Sequence, residues 1–186
     1  MSVRVTTTPP YHRSVPVTIR AATPDDAQGV AEVHVGTWQQ AYRGLVPDDF
    51  LDALDVDRRV EAYAQHRVLE DADRPLYVAE LDGTIVGFAN VGPSRDEDRN
   101  GEVYAIYVEA SHWDHGVGRD LMVVAVGWLA ERYAESTLWV LAGNDRARRF
   151  YEKGGWRFDG TTKDDDRGSF VLREVRYRIT HQGEEP

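Results

Sequence analysis

The spacing of apolar residues changes period several times along this chain, and each change predicts an element. Val17 to Arg20 alternates as a short strand. Thr23, Pro24 and Asp26 then compose a helix start, with a capping hydroxyl, a proline at the first helical position and an acid three residues after the cap. Ala27, Val30, Ala31, His34 and Trp38 recur at three- and four-residue steps, so one face of that helix is directed at a core. Tyr42-Arg43-Gly44 breaks it. Pro47 opens a second short helix through Phe50, Leu51 and Leu54, and Val60, Tyr63, Ala64 and Val68 mark a third.

Beyond residue 75 the period falls to two. Leu76–Leu81 and Thr84–Val91 flank Asp82-Gly83, the pair that favours a two-residue type I′ hairpin turn. A charged loop, Pro93 to Gly101, leads into the β-branched and aromatic run Glu102–Val108. Val117, Leu121, Val124, Ala125, Trp128 and Leu129 restore the helical period, and Leu138–Leu141 reads as a buried strand. Strand, helix, strand in this order predicts a right-handed parallel crossover. Asn144 can cap a further helix with Ala147, Phe150 and Tyr151 inward, ended by Gly154-Gly155. Trp156–Phe158 and Val175–Ile179 complete the sheet as two late strands around an acidic loop, KDDDRG.

A length of 186 residues suits one domain, and the Thr- and Pro-rich opening predicts a flexible arm over 1–16, a folded domain over 17–181 and a tail over 182–186. The net charge of -10 argues against a nucleic-acid partner and suits an amine-bearing one. The chain has no cysteine, which excludes thiolate nucleophiles, disulfides and Cys-ligated zinc and fits a reducing cytoplasm. His112 and His115 have no convergent third ligand in the sequence, so no metal is expected. No apolar window of about 18 residues suggests a membrane span.

The stretch HWDHGVGRDLM, 112–122, places Gly116 and Gly118 where a strand hands over to a helix. A dinucleotide-binding turn requires a third glycine where Leu121 stands, and a phosphate-binding P-loop requires Gly-Lys-Ser/Thr where the chain has Gly-Arg-Asp. A tight turn with helix-packing glycines and no ligand is the remaining plain reading. Yet a helix N-terminus there leaves the backbone N–H groups of about 114–119 free for an anion.

EVYAIYVEASHWDHGVGRDLM, followed after one strand by NDRARRFYEKGGW, resembles the two signature motifs of the GCN5-related N-acetyltransferase (GNAT) superfamily. Trp113 stands in that pattern's Gln/Arg slot. The resemblance implies a mixed α/β (α+β) fold whose mostly antiparallel sheet, of about six or seven strands, is flanked by helices and has its fourth and fifth strands splayed. It also implies acetyl-CoA as cofactor. The acyl-pantetheine arm would lie along Ile106, Tyr107 and Val108, and the pyrophosphate would meet Asp114, His115, Gly116, Val117, Gly118 and Arg119, with Asn144 touching the arm.

Acetyl transfer to an amine requires a neutral amine, a stabilised oxyanion and a proton for the departing thiolate. The resemblance makes Tyr151 the general acid and the Val108 N–H the oxyanion donor. Glu102 is the candidate base, and strict alternation would put it on one face with Tyr104, Ile106 and Val108. Trp38, Tyr42 and Tyr104 are candidate walls of an amine pocket. Plainer roles stay open: Tyr151 as a structural tyrosine, Glu102 as a solvated strand end, the aromatics as core. The motifs specify coenzyme A more than the acceptor, so an O-acetyl or longer-chain acyltransferase and a noncatalytic acyl-CoA-binding module share the pattern, and the late strands could pair across a homodimer.

Overall fold

Thr18–Ala21 (β1) pairs antiparallel with Leu76–Leu81 (β2), and β2 with Thr84–Pro93 (β3) across the predicted hairpin. Asp82 and Gly83 both have positive φ, 51° and 79°, as a type I′ turn demands. β3 pairs antiparallel with Gly101–Val108 (β4), which pairs in parallel with Glu135–Leu141 (β5). Arg157–Asp166 (β6) and Val171–Thr180 (β7) close the sheet in the order β1-β2-β3-β4-β5-β7-β6. The computed structural model describes residues 17–96 and 98–181. The expected arm and tail, 1–16 and 182–186, lie outside the described residues, as does Glu97.

Helices cover both faces. Ala27–Ala41 (α1) and Val56–Gln65 (α3) lie on one face, where Val30, Ala31 and Val33 meet Val78, Ile85 and Phe88. Val117–Ala130 (α4) lies on the other, and Leu121, Ala125 and Leu129 bury against Val86, Val91, Val103 and Leu138. This division of apolar stripes is what the three- and four-residue spacing predicts. Asp48–Asp52 (α2) packs through Leu51 in a third cluster with Val46, Leu141 and Leu172. Asp145–Lys153 (α5) sends Tyr151 into the α4-side core. Among the described residues no helix is long and apolar enough to cross a membrane.

The KDDDRG segment departs from the loop that its composition predicts. Lys163 to Asp166 belong to β6, because β7 opposes them with complementary charges. Lys163 faces Glu174 in register and Asp164 faces Arg173, with ion pairs of 3.3 and 2.5 Å. Cross-strand pairs of this kind favour strand pairing in a segment with few apolar residues. Asp96 and Asp98, in the charged loop before β4, are drawn in as well, 2.9 and 3.6 Å from the Arg176 guanidinium.

Candidate active site

β4 and β5 are paired only through Gly101, Glu102 and Val103, opposite Ser136, Thr137 and Leu138. Beyond Val103 the two strands part. The same point carries a β-bulge: Val91 opposes Val103 while Asn90 opposes Ala105, leaving Tyr104 as an extra residue in β4. A bulge adds local twist and re-aims the side chains beyond it. Val103 accordingly faces the α4-side core, whereas Ala105 and Tyr107 pack on the α1 side and Ile106 returns to the α4 side.

The bulge corrects one expectation. Glu102 opposes Gly92, and β3 alternates without interruption from Phe88, so Glu102 lies on the Tyr107 face and not with Ile106 and Val108. Its carboxylate is 0% exposed. The Arg95 backbone N–H donates to Oε2 at 2.8 Å, and the guanidinium donates to Oε1 from Nε at 3.0 Å and also from Nη2. Glu102 thus anchors the loop between β3 and β4. Tyr104 belongs to the same cluster: its hydroxyl donates to the Pro93 carbonyl, and Arg95 sits 4.8 Å above its ring. The aromatic that meets Trp38 and Tyr42 is Tyr107 instead.

Glu109 N–H donates to the Val86 carbonyl at 3.0 Å, which turns that amide toward β3. Alternation then directs the main-chain groups of Ile106 and Val108 into the opening. The Val108 carbonyl is taken by Trp113 Nε1 at 2.7 Å, with Thr37 Oγ1 at 3.4 Å. Trp113 therefore ties the end of β4 to the loop before α4.

That loop turns through Asp114 and Gly116, whose φ values are 62° and 85°. Left-handed backbone at alternate positions makes a concave row of amides, and glycine takes it at no steric cost. Gly116 caps α4 without a side-chain hydrogen bond, so the first amides of the helix, from Val117 through Arg119, face outward beside His115. A Cβ on Gly118 would meet Phe150 and Val108 only at 3.6 and 3.7 Å, so packing does not force glycine there and the space adjoins the opening. Across it, the Arg146 guanidinium stacks 3.5 Å over the Trp113 ring and lies 3.7 Å from Asp114. Asn144 Oδ1 accepts from Ala147 N–H at 3.1 Å and caps α5. Arg148, two residues beyond Arg146 on α5, is committed to the Tyr177 hydroxyl and the Ala142 carbonyl.

Three tyrosines from three elements converge on the opening. Tyr151 comes from α5, Tyr107 from β4 and Tyr42 from the end of α1, and each perturbs the ionisation of its neighbours. Burial pushes all three phenols above the ordinary tyrosine range, so each keeps its proton. Tyr107 accepts from Trp38 Nε1 at 3.1 Å, and Trp38 meets Tyr42 edge-on at 4.8 Å. A tyrosine from the α4 side can meet two from the α1 side only where the sheet has parted.

His34 completes the wall behind Tyr107, with ring centroids 5.2 Å apart, and its Nδ1 bonds the Tyr63 hydroxyl at 2.7 Å. Burial, helped by the Arg59 charge, lowers its pKa to about 3. An unfolded chain protonates this histidine near 6.5 and the folded one does not, so stability is lost as pH falls from 6.5 toward 3. The expected loss attributable to His34 by pH ~5 is about 2 kcal/mol. Urea unfolding of the wild type and of His34→Gln at neutral pH and at that lower pH checks it; equal pH slopes would refute it.

Residues 37–156, which include β4, the glycine-bearing loop, α5 and all three tyrosines of the opening, match the acetyltransferase (GNAT) family. The chain belongs to that family. This GNAT chain is 30% identical to the uncharacterized N-acetyltransferase YuaI of Bacillus subtilis, over 69% of its own length and 73% of the relative's. It is 26% identical to the spermine/spermidine N(1)-acetyltransferase of Bacillus subtilis, over 77% and 90%. The PaiA N-acetyltransferase of Thermoplasma acidophilum, solved in complex with coenzyme A, shares the fold with a TM-score of 0.67 at 18% identity, over 89% of this chain and 99% of that one. Membership makes the protein an acetyltransferase. Arg95, which holds Glu102, and Glu174, whose charge acts on Tyr42 and Tyr107, adjoin this opening although no motif points to them; the alternation of VLREVRYRIT is the available signal for Glu174.

Proposed function

We propose that this GNAT protein is an acetyl-CoA-dependent N-acetyltransferase that moves an acetyl group to a primary amine by direct transfer in a ternary complex. The observation that carries this reading is the meeting, at one opening, of an unpaired strand edge, a helix N-terminus with no side-chain cap bond and a buried proton donor. Ile106 would hold the pantetheine arm as an added strand does, through main-chain bonds, which leaves the Val108 N–H at the acyl end because its carbonyl is already taken by Trp113. The Asp114–Arg119 amides would hold the diphosphate, with Arg146 beside them. Acetyl-CoA supplies an activated acyl carbon and a thiolate leaving group. On this side, Val108 N–H receives the developing oxyanion, and Tyr151 gives its phenolic proton to the departing sulfur as the new C–N bond forms and the C–S bond breaks. The ammonium first loses a proton to solvent as the aromatic wall desolvates it and lowers its pKa, and the second proton, shed by the nitrogen as the amide forms, restores the Tyr151 phenol by way of solvent. With both oxygens held by Arg95, Glu102 supports the base of the opening.

An amine acceptor is supported by the net charge of -10 and by the spermine/spermidine N(1)-acetyltransferase relative. Calorimetry with coenzyme A, together with a screen of acyl-CoAs against amines and alcohols that follows free thiol, tests the reading. Coenzyme A binding and amine-dependent thiol release are the expected results. Binding without release from any acceptor, or release with alcohols alone, would overturn it.

A further inference from the structure

β7 alternates between the two faces of the sheet. Val175 and Tyr177 enter the α4-side core, while Leu172 packs with Leu141 and against Trp38 and Tyr42. Glu174 shares the parity of Leu172 and stands opposite Leu141, at the end of β5 where β4 is no longer paired. Its charge acts on Tyr42, on Tyr107 and on Arg95, groups belonging to three separate segments around the opening. Other acids nearby are committed: Glu102 to Arg95, and Asp96 to Arg176 and to Trp139 Nε1 at 3.3 Å. Glu174 is 20% exposed, and its ion-pair partner is Lys163 at 3.3 Å, a long side chain that is itself 40% exposed.

Lys163 shows what this corner does with an alkylammonium. Its Nζ lies 3.3 Å from the Glu174 carboxylate and 4.0 Å from the centre of the Trp139 ring, so one primary ammonium is held at once by a carboxylate and an aromatic face. A reacting amine must be neutral when it attacks, so a carboxylate cannot hold that same nitrogen by charge. We infer that Glu174 recognises a second positive charge on the acceptor, displacing Lys163, and that the acceptor is an aliphatic amine carrying another ammonium some bonds away. This rests on the N-acetyltransferase reading above.

The test uses the full chain with spermidine, 1,5-diaminopentane and pentylamine, following free thiol and fitting KM for each amine. The wild type is expected to favour the two polycations over pentylamine by about tenfold or more in kcat/KM. Glu174→Gln is expected to raise their KM about tenfold while the coenzyme A Kd stays within about twofold, and Lys163→Met, by vacating the carboxylate, to lower it several-fold. Transfer to amines with no preference for the polycations, or with a preference that Glu174→Gln leaves intact, would overturn this inference and leave the proposed function standing. Absence of both coenzyme A binding and thiol release from the wild type would remove the two together.

Discussion

Tyr151→Phe is expected to lower kcat by about a hundredfold or more while leaving the affinity for coenzyme A within about twofold. In the proposed mechanism the phenol is the proton source at the opening, and a positioned general acid contributes roughly 10² to 10⁴ in rate. Removing one oxygen leaves the ring in place, between Phe150 at 5.4 Å and Tyr177 at 6.2 Å, so folding is not expected to suffer. Because burial raises the phenol above its ordinary pKa, the wild type keeps its acid protonated through neutral pH and well into the alkaline range. Steady-state kinetics with the amine found by the screen, beside coenzyme A calorimetry, decide the matter. A variant with wild-type kcat would return Tyr151 to the role of a packing residue.

Arg95→Ala is the second large effect, and it falls on stability. Glu102 is fully enclosed and accepts from the Arg95 backbone N–H, Nε and Nη2, so truncating that side chain strips the guanidinium from a carboxylate that water cannot reach. Breaking a buried pair from one side costs about 3 to 5 kcal/mol. The lower end is expected here, since Arg95 is itself 59% exposed and its backbone N–H survives the substitution. Adding Glu102→Gln to Arg95→Ala removes the stranded charge and should recover a large part of the loss. Urea unfolding of the single and double variants measures this coupling directly; a double variant no more stable than Arg95→Ala would show that the pair's charge is not what matters.

Local patterns carry most of the fold because each element's burial is set by its own period. The α1 stripe through Val30, Ala31 and His34, the Asp82-Gly83 turn and the Asn144 cap all depend on residues within a few positions of one another. The glycine-bearing loop is legible for the same reason, since Gly116 takes its left-handed turn in place. Features that depend on partners distant in sequence escape this kind of reading. Lys163 to Asp166 resemble a solvated run because the glutamate and arginine that pair with them lie on β7. Trp113, which departs from the family pattern, makes its bond to the Val108 carbonyl and its stack with Arg146 only where three segments meet. Strict alternation puts Glu102 on the wrong face because it counts residues evenly, and Tyr104 is one residue too many.

That surplus residue bears on the shape of the strand and not on its register. Another side chain at Tyr104 keeps the count of β4 unchanged, and Tyr107 still faces Trp38 while Ile106 still faces α4. Deleting Tyr104 would remove the bulge and leave the pairing on either side in phase, with Val103 still opposite Val91 and Ala105 still opposite Asn90, so Tyr107 would keep its side of the sheet and only the added bend and twist would be lost. In β4, therefore, the pairing with β3 decides which face each side chain takes, and the surplus residue decides how sharply the strand bends at the point where it leaves β5.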